Sequence, residues 1–297
     1  MRNGITHENI GKPVFEYTDS DIKRINEVYI CFDFSCNLCC PHCTLHKIKQ
    51  EHHFDKILDT LNYLHDKNKK FTINFFGGEP TLLKDDVWKL YEDVVKVHPL
   101  IISTNLLKLS PYKIQYMKYS EDINTSWNPK RFTNDQYKLW LNNIEILKQN
   151  NIPYSVMVTL TDDLIDMDQK EFIELVKLWS PRNIDLKMMI GDYNMDFSKV
   201  DEWLCKLYDI WNIDKTKNLL FNEIKQICEG KRIWKNYCKT YFTIMPNGYL
   251  KDGCPYFEYE TDKTNCLMCE YYSICQGGCN IQEKCTFPKK LYQRIAQ

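Results

Sequence analysis

Fourteen cysteines in 297 residues, gathered near the two ends of the chain, constrain this sequence more than any other feature. Five lie between Cys31 and Cys43, eight lie between Cys228 and Cys285, and Cys205 stands alone between the groups. In a small secreted protein such a count implies disulfides. In a longer chain with no export signal it implies metal, because cytosolic thiols stay reduced and clustered thiolates are soft ligands for zinc or iron–sulfur. The N-terminal residues Met1 to Asp19 are polar and lack a signal-peptide core, and no run of 18 apolar residues exists to span a membrane. The expected location is therefore the cytoplasm.

The remaining composition excludes more than it identifies. A net charge of −1 gives no general attraction to nucleic acid or anionic lipid, so neither is an expected partner. The basic run Lys67, Lys69 and Lys70 reads as a solvated turn.

Between the cysteine groups, strand-like and helix-like segments alternate. Val28–Phe34, Phe71–Phe76, Leu100–Ser103, Ile123–Trp127, Tyr154–Leu160 and Ile184–Ile190 are short β-branched or aromatic runs. Phe54, Ile57, Leu58, Leu61 and Leu64 form a helical stripe. Similar stripes run through Val87–Val94, Leu139–Leu147 and Phe172–Trp179. Alternation of this kind predicts parallel βαβ units, and six of them make an α/β fold, a partial (β/α)6 TIM-like barrel. Sites in such sheets form at the carboxyl ends of the strands. From about Phe221 the alternation fades, and glycines mix with closely spaced cysteines. That predicts a small cysteine-rich C-terminal domain held together by metal. The expected organisation is an N-terminal extension (1–24), the barrel (25–222) and the cysteine-rich domain (223–297).

The first strand leads into Cys36-Asn37-Leu38-Cys39-Cys40-Pro41-His42-Cys43. Cys36, Cys40 and Cys43 fit the spacing C-x3-C-x2-C. Three thiolates can hold three irons of a cubane cluster and leave the fourth iron open. On spacing alone zinc remains an alternative. The second strand ends in Phe75-Phe76-Gly77-Gly78-Glu79-Pro80. Taken together at successive strand ends, these two motifs resemble the signature loop and the GGEP motif of the radical S-adenosylmethionine (SAM) superfamily. The resemblance implies that Gly77, Gly78, Glu79 and Pro80 bind the amino group of SAM. It further implies polar contacts to SAM from Ser103 and Asn105 after the third strand. Ser126 after the fourth is implied as a ribose or carboxylate contact, although Asn128 and Pro129 depart from the family wording there. His42 takes the place of the usual aromatic residue near the adenine. Cys39 is surplus to the motif, and Cys31 and Cys205 read as packed thiols.

The tail contains Cys266-x2-Cys269-x5-Cys275-x3-Cys279 followed by Cys285, preceded by Cys238, Gly248 and Cys254. This resembles the SPASM domain, which carries two auxiliary [4Fe-4S] clusters. It departs in having five residues rather than four between Gly248 and Cys254. By that resemblance Cys238, Cys254 and Cys279 hold one auxiliary cluster, with Cys228 the nearest spare for its fourth position. Cys266, Cys269, Cys275 and Cys285 hold the other.

The implied activity is reductive cleavage of SAM to a 5′-deoxyadenosyl radical, which abstracts a hydrogen atom from substrate. The cofactors are SAM, one catalytic [4Fe-4S] cluster and two auxiliary ones. The resemblance favours crosslinking or oxidation of a peptide or protein. The alternatives are a dehydrogenase, epimerase or rearrangement enzyme for a small molecule, and a non-catalytic metal-stabilised interaction protein. Expected partners are a reducing electron donor such as flavodoxin or ferredoxin and, because few residues precede the first strand, a separate peptide-recognition protein. Pro255 follows Cys254, where sulfatase-maturing members carry an Asp base, which counts against that branch. Trp127, Tyr193, Trp234, Tyr241 and Tyr256 are candidates either for a substrate cavity or for the core.

Overall fold

The computed structural model describes residues 11–40, 43, 52–188, 196–213, 221–229, 240–253 and 288–296. His42, Tyr193, Trp234, Tyr256 and the tail cysteines Cys238, Cys254, Cys266, Cys269, Cys275, Cys279 and Cys285 lie outside the described residues.

Among the described residues there are eight strands: β1 (Glu27–Cys31), β2 (Thr72–Phe76), β3 (Leu100–Thr104), β4 (Asp122–Trp127), β5 (Tyr154–Leu160), β6 (Ile184–Met188), β7 (Tyr241–Ile244) and β8 (Leu250–Asp252). The helices are α1 (Asp19–Lys23), α2 (Phe54–Lys67), α3 (Asp85–Leu90), α4 (Glu92–Val95), α5 (Pro111–Met117), α6 (Asn134–Gln149), α7 (Asp162–Ile165), α8 (Gln169–Trp179), α9 (Phe197–Ile213), α10 (Asn222–Cys228) and α11 (Lys289–Ala296). The strands hydrogen-bond in the order β6-β5-β4-β3-β2-β1-β7-β8. β1 pairs in parallel with β2, β2 with β3, and β5 with β6. Parallel neighbours in sequence order, with helices between them, are the βαβ architecture that the alternating pattern predicts.

The chain divides into two compact units: Met1–Asn124 with Glu145–Ile152 and Tyr237–Phe257, and Thr125–Ile144 with Pro153–Asn236 and Glu258–Gln297. In the first unit the strand faces differ sharply. Val28, Ile30, Ile73, Phe75, Leu100 and Ile102 are fully buried. Phe75 packs edge-on against Trp88 of α3 at 5.5 Å and lies 6.0 Å from Tyr116 of α5. Truncating such a ring to alanine costs about 3–5 kcal/mol. The opposite face carries polar groups: Ser103 Oγ donates to Asn74 Oδ1 (3.1 Å), and Asn74 Nδ2 donates to Glu27 Oε1 (3.4 Å). Burial pushes the Glu27 carboxyl above its usual range.

Two features differ from the sequence expectation. The stripe Val87–Val94 is broken at Tyr91 into α3 and α4. There the Tyr91 hydroxyl donates to the Phe54 carbonyl (2.8 Å) and its ring packs on Phe32. The second difference is the β7–β8 hairpin, which the sequence reading assigns to the cysteine-rich region. β7 extends the sheet in parallel with β1, and β8 returns antiparallel. The turn holds Gly248 at φ +82°, where a Cβ would lie 2.5 Å from Lys56 Cβ. Thr60 Oγ1 donates to the Gly248 carbonyl (2.7 Å). Lys12 and Leu250 exchange backbone hydrogen bonds at 2.9 Å and cover the outer edge of β8.

The second unit is built on an aromatic core. Trp127 packs on Trp179 (4.7 Å), Trp140 on Trp179 (5.4 Å) and Phe172 on Trp203 (5.5 Å). Trp140 Nε1 donates to Thr125 Oγ1 at 2.9 Å, satisfying the one polar atom of a fully buried ring. Trp127 is therefore a core residue. Asp201 of α9 accepts the backbone N–H groups of Lys290 (2.7 Å) and Leu291 (2.9 Å), fixing the first turn of α11.

Candidate functional site

The carboxyl ends of β1, β2 and β3 are joined by backbone. After β1 the chain runs through Phe32–Ser35 into the thiol loop. Gly78 N–H donates to the Asp33 carbonyl (2.8 Å) and Glu79 N–H to the Ser35 carbonyl (2.7 Å). The glycines make this approach possible. Gly77 has φ +119°, and a Cβ on Gly78 would lie 2.0 Å from Ser35 O. The two motifs separated in sequence are thus stitched together, with no side chain between them. Asp33 closes its own turn by accepting the Ser35 N–H (3.1 Å), and His52 Nε2 stands 4.0 Å from its carboxylate.

Cys36 and Cys43 are half-buried, Cys40 is buried and Cys39 is exposed. Cys43 N–H donates to the Cys40 carbonyl (3.0 Å). Burial pushes the Cys36 thiol up, the Leu38 N–H (3.4 Å to Sγ) opposes this, and nearby Cys40 and Cys43 add electrostatic repulsion. The three sulfurs therefore share one electrostatic neighbourhood. Among the described residues no three His, Cys, Asp or Glu side chains converge on a single ion. A cubane asks for a different arrangement, one thiolate at each of three irons. Cys31 is fully buried among Phe34, Met245 and Cys43, as a packed thiol should be.

Glu79 sits at the centre of the second layer, 2% exposed. Its Oε1 accepts from Thr81 N (3.0 Å), Thr81 Oγ1 (2.6 Å) and Thr104 Oγ1 (2.5 Å), and its Oε2 accepts from Asn105 N (2.6 Å). Burial pushes the carboxyl up and these donors pull against it. The carboxylate is thereby committed to holding the ends of β2 and β3 together. Pro80 opens a 3-10 turn, and its carbonyl accepts from Trp88 Nε1 (3.1 Å). Asn105, 3% exposed, donates through Nδ2 to Asn37 Oδ1 (2.6 Å) and to Cys36 Sγ (3.7 Å). The structure thus brings Cys36, Cys40, Cys43, Gly77, Gly78, Glu79, Pro80, Ser103 and Asn105 into one unit.

Ser126 lies near the end of β4, half-buried, in the other unit. Asn128 beside it is buried and clasps β5, hydrogen-bonding with both the N–H and the carbonyl of Thr159. Cys228 ends α10 and is exposed, and Cys205 is half-buried in α9. Sequence reasoning missed Thr81, Thr104 and Asn37, the residues that tie the motifs together. The signal present is the polar run Ser103-Thr104-Asn105 ending an apolar strand.

No family model matches the chain. It is 23% identical over 298 residues to the radical SAM cyclopropyl synthase TigE of Paramaledivibacter caminithermalis, a match taking in 84% of this chain and 62% of that protein. The chain thus spans less than two thirds of that relative's length. It is 20% identical over 328 residues to the cysteine-type anaerobic sulfatase-maturating enzyme of Clostridium novyi, covering 86% and 87% of the two chains. Among solved structures, anSMEcpe with bound AdoMet and Cp18Cys peptide superposes with a TM-score of 0.72 at 15% identity, covering 91% of this chain and 95% of that one. SuiB of Streptococcus suis bound to S-adenosylmethionine gives 0.58 at 16% identity, covering 86% and 73%. In sequence and in fold the chain resembles radical SAM enzymes.

Its sheet is accordingly the partial TIM-like barrel of the radical SAM fold. The residues present fit the groups that radical SAM chemistry employs, SAM and a [4Fe-4S] cluster. Three reduced thiols on one loop are the donor set for three irons of a cubane. The loop carrying Gly77 and Gly78 is held against them with its N–H of Gly78 turned inward to Asp33, and among the described residues none donates to the Gly77 or Gly78 carbonyl. Those carbonyls suit an ammonium group. The Glu79 carboxylate beside them already accepts four hydrogen bonds.

Proposed function

We propose that this chain is a radical SAM enzyme that modifies a peptide or protein, by crosslinking or oxidising a side chain. The observation that carries the chemistry is the double stitch between the two motif loops, Gly78 N–H to Asp33 O and Glu79 N–H to Ser35 O, which sets the three-thiol loop beside the GGEP backbone. The peptide reading is supported by the kinds of relatives the chain resembles. Two of the solved neighbours carry peptides, the Cp18Cys peptide on anSMEcpe and the precursor peptide SuiA on SuiB. Pro255 after Cys254 argues for an outcome other than sulfatase maturation.

In this reading Cys36, Cys40 and Cys43 hold three irons. The Gly77 and Gly78 carbonyls accept from the methionyl ammonium of SAM, and Glu79 acts at one remove by fixing the loop. Ser103, Ser126 and His42 are SAM contacts carried over from the family resemblance. The reduced cluster, when bound, supplies the electron that cleaves SAM to methionine and a 5′-deoxyadenosyl radical, which takes a hydrogen atom from the substrate. Cys238 and Cys254 flank the β7–β8 hairpin in sequence, and the described ends of that hairpin meet, with Gly253 N–H donating to the Tyr241 carbonyl (3.0 Å). That supports their assignment, with Cys279, to one auxiliary cluster and of Cys266, Cys269, Cys275 and Cys285 to a second. Cys228 completes the first.

The test is anaerobic. The chain is reconstituted with iron and sulfide, given a strong reductant and SAM, and assayed for 5′-deoxyadenosine beside a Cys36/Cys40/Cys43→Ala triple variant. Product from the wild type alone is expected. A wild type that holds its iron and forms no product overturns the enzyme reading. Peptides are then added, and a substrate is recognised by loss of hydrogen mass coupled to deoxyadenosine formation.

A further inference from the structure

Asn105 engages its backbone N–H and both polar atoms of its side chain. Its N–H donates to Glu79 Oε2 (2.6 Å), and its Oδ1 accepts the Leu107 N–H (3.0 Å). Its Nδ2 donates to Asn37 Oδ1 (2.6 Å) and reaches Cys36 Sγ at 3.7 Å. The orientation of this amide follows from chemistry. A backbone N–H can only donate, so the atom facing Leu107 is the oxygen and the nitrogen faces the thiol loop. Leu106, between them, has φ +60° with its side chain fully buried, a conformation that leucine avoids. The chain thus holds a strained residue where the turn aims the Asn105 amide at Cys36. Thr104 Oγ1 supports the same turn by accepting the Leu106 N–H (2.9 Å).

We propose that Asn105 is a positioning residue for the catalytic cluster: its carboxamide N–H donates to the Cys36 sulfur, orients that ligand and raises the reduction potential of the cluster it holds. The inference rests on the reading of Cys36 as an iron ligand. A hydrogen bond to a ligating sulfur favours the more negative, reduced state of a cluster, and such outer partners govern retention of the metal. It also gives Asn105 a role other than the SAM contact implied by family resemblance, since both ends of its amide are already engaged.

The experiment compares Asn105→Asp and Asn105→Ser with the wild type after anaerobic reconstitution. Aspartate keeps the acceptor for Leu107 and removes the donor to sulfur. Serine keeps a short acceptor for the turn and does not reach Cys36. Redox titration followed by electron paramagnetic resonance isolates the signal that changes when SAM is added, and any signal indifferent to SAM serves as internal reference. In both variants the SAM-responsive signal is expected to move to more negative potential while the reference stays. Loss of that cluster to a chelator is expected to be about tenfold faster. An unmoved potential, with or without weakened SAM binding, overturns the proposal, and weakened binding alone makes Asn105 a SAM contact. Failure of the underlying reading is seen separately. In that case the Cys36/Cys40/Cys43→Ala variant gives the same SAM-responsive signal as the wild type, or the wild type gives none.

Discussion

The two ends of the same three strands use buried polar groups for different purposes. At the carboxyl ends of β1, β2 and β3, Glu79, Thr104 and Asn105 tie together loops that bear thiols and glycines. At the amino ends, His98 Nδ1 donates to the Phe71 carbonyl (3.0 Å), and Asn68 Nδ2 donates to the Ile22 and Ile25 carbonyls (3.0 Å each). Both ends are well satisfied, so satisfaction alone does not mark a site. The carboxyl ends differ in what they tolerate. They hold a left-handed leucine, glycines without room for a methyl group and a buried carboxylate. Such departures are kept where geometry serves chemistry, as expected at this end of a β/α sheet. Changes at the carboxyl ends should therefore disturb the cluster, and changes at the amino ends only the fold.

The largest effect is expected from Gly78→Ala. Its Cβ would meet Ser35 O at 2.0 Å and Phe34 C at 2.5 Å, both backbone, so the stitch between the loops must open. The loss of stability should reach or exceed the upper end of the ~1–3 kcal/mol usual for overpacking. Iron retention should fall with it, as measured by denaturant melts and iron assay of the reconstituted protein. A variant that melts like the wild type and holds its iron would break the comparison at its strongest point. Thr104→Val is expected to be milder. It removes one donor from Glu79 and the acceptor of the Leu106 N–H, and should cost about 1–3 kcal/mol for the groups left unpaired. Because the strain at Leu106 leans on that hydroxyl, the variant should also loosen the cluster, seen as faster loss to a chelator. Stability loss without faster cluster loss would confine Thr104 to the fold.

How much of this was legible follows the same division. The six strands of the barrel were readable to within a few residues, because buried parallel strands with amphipathic helices between them write two distinct periods into the sequence. The thiol loop and GGEP were readable because their spacing is local. What was not readable is what joins them. Nothing in Glu79 alone distinguishes a carboxylate aimed at an ammonium from one buried against Thr81, Thr104 and Asn105. That difference depends on β3 arriving beside β2. The β7–β8 hairpin escaped notice for another reason. Its strands are only four and three residues long, and they gain their order from pairing with β1 and from Lys12 across the edge, partners distant in sequence.

The smallest effect sharpens the comparison from the amino end. The Phe71 carbonyl can only accept, so His98 carries its proton on Nδ1 and offers the Nε2 lone pair to His65 Nδ1–H at 2.8 Å. Burial holds the pKa of His98 below 6.5, and the neighbouring His65 acts in the same direction. The unfolded chain therefore binds the proton more readily than the folded one. The stability His98 contributes is complete above pH 6.5 and is lost as pH falls below it toward the folded pKa. His98→Asn keeps a donor for Phe71 and cannot titrate, so its melting temperature should fall less steeply than that of the wild type between about pH 7 and 5.5, above the range of ordinary carboxylates. The SAM-responsive signal of the cluster should be the same in both proteins at fixed pH. Equal slopes would remove His98 from the pH dependence. A changed cluster signal would show that the two ends of the sheet communicate, and the division drawn between them would fail.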